Sequence, residues 1–278
     1  KGHDAQLWRW VSVTKQVIAV LVLQEVGKGM IDLDQPLSRY LPKFASANAG
    51  RITVRQLLRH QSGLPNPDDV QASATAMSAY YLPVYKGSRD PLTGYCAGAP
   101  KGEPGGNWAY NNCDYIVAGG LLEAVTGKKW SKLVQERIAK PLGLKTLGAY
   151  PTGKPTHGGL VGGRPEPKIE FAAFAASGGL YGTLDDLLEF DRALMSGKLL
   201  AQKELDQLWD GQADFGYIAL GQWVFDAPLK DCPKSIKLVE RRGAIGGVQV
   251  RNFIAPESQT AVAIFTDKSE GDFQFGEI

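Results

Sequence analysis

Cysteine is scarce in this 278-residue chain, at three residues, and histidine and methionine are equally so. Three cysteines are too few for a disulfide scaffold. Cys96, Cys113 and Cys232 also lack the C-x-x-C spacing of a metal knuckle. Cys96 and Cys113 flank a Gly/Pro-rich segment, where a loop-closing bridge in an exported protein and two free buried thiols both fit. His3, His60 and His157 form no spaced metal set. A net charge of +2 gives no argument for a nucleic acid or an acidic lipid surface as partner. The longest apolar run, Val17 to Leu23, is far short of the roughly 20 residues that span a bilayer, so no membrane span is expected. Apolar on every side, it reads instead as a helix buried in the interior. The sequence does not open on a methionine or on a signal-peptide pattern, and it shows no internal repeat.

What is present describes a globular protein. Hydrophobic residues make up 44% and charged residues 22%, enough for a sizeable core in one large or two ordinary domains. Residues 12–27 predict a helix ending at Gly27. Thr53 is placed to cap a helix running towards His60, which Gly63 and Pro65 terminate. From Asn66 to Asn107 the chain is rich in Ser, Gly, Pro and Ala, with one possible helix near Ala72 to Tyr81. Loops of that kind often border a cleft. Helices are predicted from Asn112 to Gly127 and from Trp130 to Ile138, the second stopped by Pro141. Thr152 to Pro167 reads as a loop. Thr183, with Asp186 three residues on, resembles a capping box. The last third alternates apolar and polar residues over Tyr217–Phe225, Lys237–Arg241, Val248–Ala255 and Thr260–Thr266, which predicts antiparallel strands. Helices followed by such a sheet suggest an α+β architecture.

Chemistry concentrates in three short stretches. Ser12 and Lys15 sit three apart at a helix start, so their side chains share a face about 5–6 Å apart at Cβ. A lysine there reaches the serine hydroxyl, and the helix terminus favours a developing anion. Tyr110-Asn111-Asn112 places a phenol and an amide just before a helix. Arg241-Arg242-Gly243 ends a strand. His60 is expected to hydrogen-bond within the helical part, and Asp185 and Asp186 to serve as helix-start carboxylates. Trp8, Trp10 and Trp108 lie near the motifs, where core packing is the simpler account.

Together the three stretches resemble the S-x-x-K, Y-x-N and K-T-G-like set of the penicillin-recognising serine hydrolases, which include serine β-lactamases, DD-peptidases and β-lactamase-like esterases. Ile52-Thr53-Val54-Arg55-Gln56-Leu57-Leu58-Arg59-His60-Gln61-Ser62-Gly63-Leu64, Ala139-Lys140-Pro141-Leu142-Gly143-Leu144 and Ser177-Gly178-Gly179-Leu180-Tyr181-Gly182-Thr183-Leu184-Asp185-Asp186-Leu187 are similar to further family segments in the same order. The resemblance implies an antiparallel sheet flanked by helices, drawn from 1–11 and 175–278, a mostly helical subdomain over 12–174, and a site at their junction. It also implies a chain shortened at both ends, since family members carry tens of residues before the serine and a closing C-terminal helix.

The resemblance assigns Ser12 as nucleophile and Lys15 and Tyr110 as the acid–base pair, with the choice of base open. Asn112, Arg241, Gly243 and Ala244 would bind substrate, and the backbone N–H groups of Ser12 and Ala244 would form the oxyanion hole. No metal or other cofactor is implied. Family members usually carry Lys or His where this chain has Arg241. A guanidinium there clamps a substrate carboxylate or polarises Tyr110, and is not expected to shuttle protons. The expected activity is acyl-enzyme hydrolysis of a small ester or amide. β-Lactam or D-Ala-type peptide hydrolysis is an alternative, and a non-catalytic penicillin or peptidoglycan binder is another. A bacterial periplasmic or secreted setting follows from the resemblance, with a cytoplasmic one left open. Oligomeric state has no signature in the sequence.

Overall fold

The Val17–Leu23 run forms the central column of the computed structural model, which describes residues 6–71, 77–151, 158–161, 164–228, 230 and 233–267. It lies in α1 (Thr14–Gly27), and each of its residues is fully buried. Four of the seven are β-branched, a penalty of at most about 0.7 kcal/mol each against alanine. Burying each side chain contributes about 1.5–3 kcal/mol, so tertiary packing decides the conformation. Gly29, at φ +72°, reverses the chain beyond the helix.

Next, Thr53 caps α2 (Val54–Leu58) through a reciprocal capping box with Gln56. His60 stands beyond it at φ +59°. Part of the possible helix at Ala72–Tyr81 lies outside the described residues, and Ala79–Tyr81 is a single 3-10 turn. Asn111 then caps α3 (Asn112–Thr126), accepting from Cys113 N at 2.8 Å, and Gly127 at φ +69° closes it.

Pro141 does not stop the following helix. Its first turn, α4 (Trp130–Val134), widens into a π-turn over Gln135–Ala139 and continues as α5 (Lys140–Leu142). The proline falls in the first turn of α5, where its missing N–H costs little. Gly143, at φ +68°, makes the stop.

α1 packs against α3, α6 (Ala175–Gly178) and α8 (Gln202–Leu208), while α7 (Leu184–Met195) covers the sheet. Two sheets surround these helices. β1 (Trp8–Arg9) pairs with β5 (Leu180–Gly182), which pairs with β2 (Gly148–Ala149). The larger sheet has order β6 (Trp223–Ala227), β7 (Ile236–Ile245), β8 (Val248–Ala255) and β9 (Thr260–Thr266), antiparallel throughout. Among the described residues it is drawn wholly from the C-terminal third, so the N-terminal strand joins a different sheet from the one expected. The strand predicted from Tyr217 begins only at Trp223, because Gly216, Tyr217 and Gly221 adopt left-handed φ values that a strand excludes.

A second correction concerns the 152–167 loop, which contains a short hairpin of β3 (Leu160–Val161) and β4 (Arg164–Pro165). Long-range polar contacts hold its base. Glu166 accepts from both Arg9 guanidinium nitrogens and, at 3.2 Å, from Gly247 N. Periodicity cannot reveal an element fixed from so far away. Trp8 stacks on Phe265 at 5.5 Å and Trp10 lies against Phe190, both as core residues.

Candidate active site

Ser12 sits in a 3-10 turn, Val11–Val13, that feeds α1. Val11 precedes it at φ +48°, a left-handed value that costs a β-branched residue about 1–3 kcal/mol. Bonds on either side hold the turn: Trp10 N donates to Leu180 O, and Val13 N to Trp10 O, both at 2.9 Å. Gly243 of β7 presses on it. A Cβ there would lie 2.7 Å from Ser12 N and 3.0 Å from Val11 Cβ, so only glycine fits.

Lys15, in the first turn of α1, is fully buried below the serine. Its Nζ lies 3.1 Å from Ser12 Oγ and 2.7 Å from each of Tyr110 OH, Asn112 Oδ1 and Ser177 O. Tyr110 OH is in turn 2.7 Å from Ser12 Oγ and accepts from Arg241 Nη2 at 3.0 Å. Arg241 Nε donates to Ser12 O at 3.0 Å, while its buried Nη1 has no hydrogen-bond partner among the described residues. Strand alternation explains the difference between the paired arginines. Arg241 faces inward, and Arg242 is exposed with its guanidinium 4.8 Å from the Trp223 ring.

Electrostatics follow from this packing. Burial is the largest influence on Lys15 and lowers its ammonium pKa to about 8, against the opposing pull of Tyr110. Burial alone would raise Tyr110, but the charges of Lys15 and Arg241 outweigh it and leave the phenol below its usual value. The group needed without its proton is thereby brought nearer neutrality.

Several supporting residues carry no signal in the sequence. Asn66 Nδ2 donates to Tyr110 O at 3.1 Å, and its Oδ1 accepts from Asn112 N at 3.3 Å, so one loop side chain fixes the Tyr110–Asn112 backbone. Asp68 and Tyr81 take the Asn112 amide N–H group, which orients Oδ1 towards Lys15. Behind Tyr110, His60 Nδ1 accepts from Asn111 N at 3.3 Å and lies 3.0 Å from Asp114 Oδ2. Burial pushes the Asp114 carboxyl well up and His60 well down, so a neutral acid–imidazole pair fits the contacts.

The sequence-predicted residues Ser12, Tyr110, Asn112, Arg241, Gly243 and Ala244 all line one cleft of about 520 Å³, with Lys15 at its base. Trp108 also lines it, unlike Trp8 and Trp10. Cys96 and Cys113 are joined in a disulfide, which settles the choice left open above. Cys232, His3 and His157 lie outside the described residues. Among the described residues no group of three or more His, Cys, Asp or Glu is placed to hold a metal, and no helix is long and apolar enough to cross a membrane.

A serine hydroxyl shares hydrogen bonds with a buried lysine and a phenol at the cleft, the arrangement that the resemblance to the penicillin-recognising serine hydrolases implies. The Beta-lactamase family model matches residues 3–277, and the chain belongs to that family. It is 26% identical over 263 residues to PbpX of Bacillus subtilis (strain 168), covering 92% of this chain and 61% of that protein. It is 30% identical over 225 residues to esterase EstB of Burkholderia gladioli, covering 67% of this chain and 56% of EstB. The chain therefore spans about three fifths of these relatives. The solved D-stereospecific amidohydrolase of a Streptomyces species shares the fold, at TM-score 0.79 and 24% identity over 96% of this chain and 84% of that one.

Proposed function

We propose that the protein is a serine hydrolase that cleaves a small ester or amide through an acyl-enzyme on Ser12. One observation carries this reading: Ser12 Oγ lies within hydrogen-bond distance of both Tyr110 OH, at 2.7 Å, and Lys15 Nζ, at 3.1 Å. In the proposed mechanism Ser12 Oγ bonds to the substrate carbonyl carbon as its proton passes to the Lys15–Tyr110 pair. That proton then goes to the leaving oxygen or nitrogen as its bond to carbon breaks. Water next attacks the acyl carbon, gives a proton to the pair, and Ser12 leaves with it. Backbone N–H groups of Ser12 and Ala244 are proposed to hold the oxyanion, a contribution of about 3 kcal/mol per donor in comparable sites.

Arg241 would polarise Tyr110: its Nη2 donates to the phenol oxygen at 3.0 Å and sets a positive charge beside it. The name of EstB supports an ester substrate. The Cys96–Cys113 bridge supports an exported, oxidising setting.

Mass spectrometry after incubation with a fluorophosphonate tests the assignment. An adduct on Ser12 is expected, and labelling elsewhere with Ser12 untouched would end it. Lys15→Ala and Tyr110→Phe should each lower ester hydrolysis at least ~100-fold. With a penicillin, an adduct that decays marks turnover, and one that persists marks a binder.

A further inference from the structure

The acidic side chain of the cleft has no part in the steps above. Asp68, in the turn Pro67–Asp69, lines the same cleft as Ser12. Its carboxylate is held from behind by neutral donors: Asn112 Nδ2 reaches both oxygens at 3.1 Å, and Tyr81 OH reaches Oδ1 at 2.8 Å. Asn66 Oδ1 accepts from its backbone N–H at 3.3 Å, which fixes the turn. Among the described residues no cation pairs with it, whereas Glu25, Asp34, Glu166, Asp210 and Glu240 each have an arginine partner. A carboxylate pre-set by neutral donors and facing a cleft is suited to a cation that arrives with a ligand.

Its position says which part of the ligand. Asn112 bridges Asp68 and Lys15, giving its amide nitrogen to the first and its oxygen to the second at 2.7 Å. The carboxylate is thus one amide away from the lysine that touches Ser12 Oγ. The other charged groups lining the cleft are arginines, Arg241, Arg242 and Arg251, so negative charge is concentrated at the Asp68 end.

We propose that Asp68 binds the free ammonium of the acyl group, so that the cleft selects esters and amides of amino acids with an unblocked amino group. This rests on the serine hydrolase reading. Asp68 is a specificity-determining residue here, and it touches no reacting atom.

Rates on the 4-nitroanilides of D- and L-phenylalanine, with and without N-acetylation, provide the test, alongside p-nitrophenyl butyrate as an ester without an amine. The unblocked anilide of at least one enantiomer should exceed its acetylated form at least 10-fold in kcat/KM. Asp68→Asn should abolish that preference mainly through KM, read as the ratio of unblocked to acetylated anilide within the mutant. Asp69→Asn, which removes the same charge one residue along, should retain the preference. An equal or reversed preference in the native protein would overturn the proposal, as would an equal loss on every substrate in Asp68→Asn. Calorimetry on Ser12→Ala keeps the test separate from turnover. Phenylalanine amide should bind at least 10-fold tighter than its N-acetyl form, and additional Asp68→Asn should cancel the difference. If the anilides and p-nitrophenyl butyrate are all inert while this binding preference holds, the hydrolase reading fails and the ammonium site stands.

Discussion

Lys15 has more neighbours than protons. Asn112 Oδ1 and Ser177 O can only accept, so two N–H bonds are committed to them. An ammonium has one proton left for Ser12 Oγ and Tyr110 OH, whereas a neutral amine has a lone pair that accepts from either hydroxyl. Losing one proton therefore changes the direction of a hydrogen bond and breaks none. Arg241 biases this exchange because its charge lowers both Lys15 and Tyr110. Arg241→Gln should move the acid limb of kcat/KM to higher pH, since both groups then hold their protons more tightly. Arg241→Lys should move it less. A pH–rate profile of the three proteins decides, and an unmoved limb would assign Arg241 to substrate binding alone. Ser12, Lys15, Tyr110, Asn112 and Arg241, which the fold brings together, stand out in the sequence because their types and order are informative. Asn66, Asp68 and the Ser177 carbonyl do not, because a loop side chain and a backbone oxygen have no spacing to read.

Between elements, a buried polar chain ties α1 to the sheet and to α7. Gln222 Oε1 accepts from Gln16 Nε2 at 2.6 Å, and Asn252 Nδ2 donates to Gln16 Oε1 at 3.1 Å and to Asp191 Oδ1 at 2.9 Å. Asp191 is fully buried and its Oδ2 has no hydrogen-bond partner among the described residues. Burial raises its pKa from 3.8 to about 7, only partly offset by Asn252. The folded state then holds a proton that the unfolded chain has lost, so this group's contribution to stability falls as pH rises from about 4 to about 7. The full cost, on the order of a few kcal/mol, applies above that window. Asp191→Asn should raise the melting temperature at pH 8, with a smaller gain or a loss at pH 4. A mutant whose pH dependence matches the native one would remove Asp191 from this account. Local sequence specified elements wherever the cause was local: the Thr53 cap, the Gly127 stop, and β8 and β9 to the residue. It failed at Pro141 and at the β3–β4 hairpin, where a π-turn and the distant Arg9–Glu166 contact decide.

For the molecule as a whole, the Cys96–Cys113 bridge fastens the long 66–107 segment to the start of α3, one residue beyond Asn112. Closing a loop across 17 positions removes unfolded-state entropy worth about 3 kcal/mol. Reduction, or Cys96→Ser with Cys113→Ser, should lower unfolding free energy by about that amount in a urea titration. An unchanged midpoint would mean that other contacts anchor the segment. The α+β class was legible from the order of helical and alternating runs. The partition of strands between two sheets was not, because pairing partners are chosen by packing rather than by pattern.

The bond from Arg241 Nε to Ser12 O spans 229 positions of the chain. Its consequence concerns assembly. The centre cannot be complete until the last third of the chain has docked on the first, whatever helices have already formed. Regain of catalysis on refolding therefore reports the docking of the two ends of the chain, and should lag the recovery of helical circular dichroism.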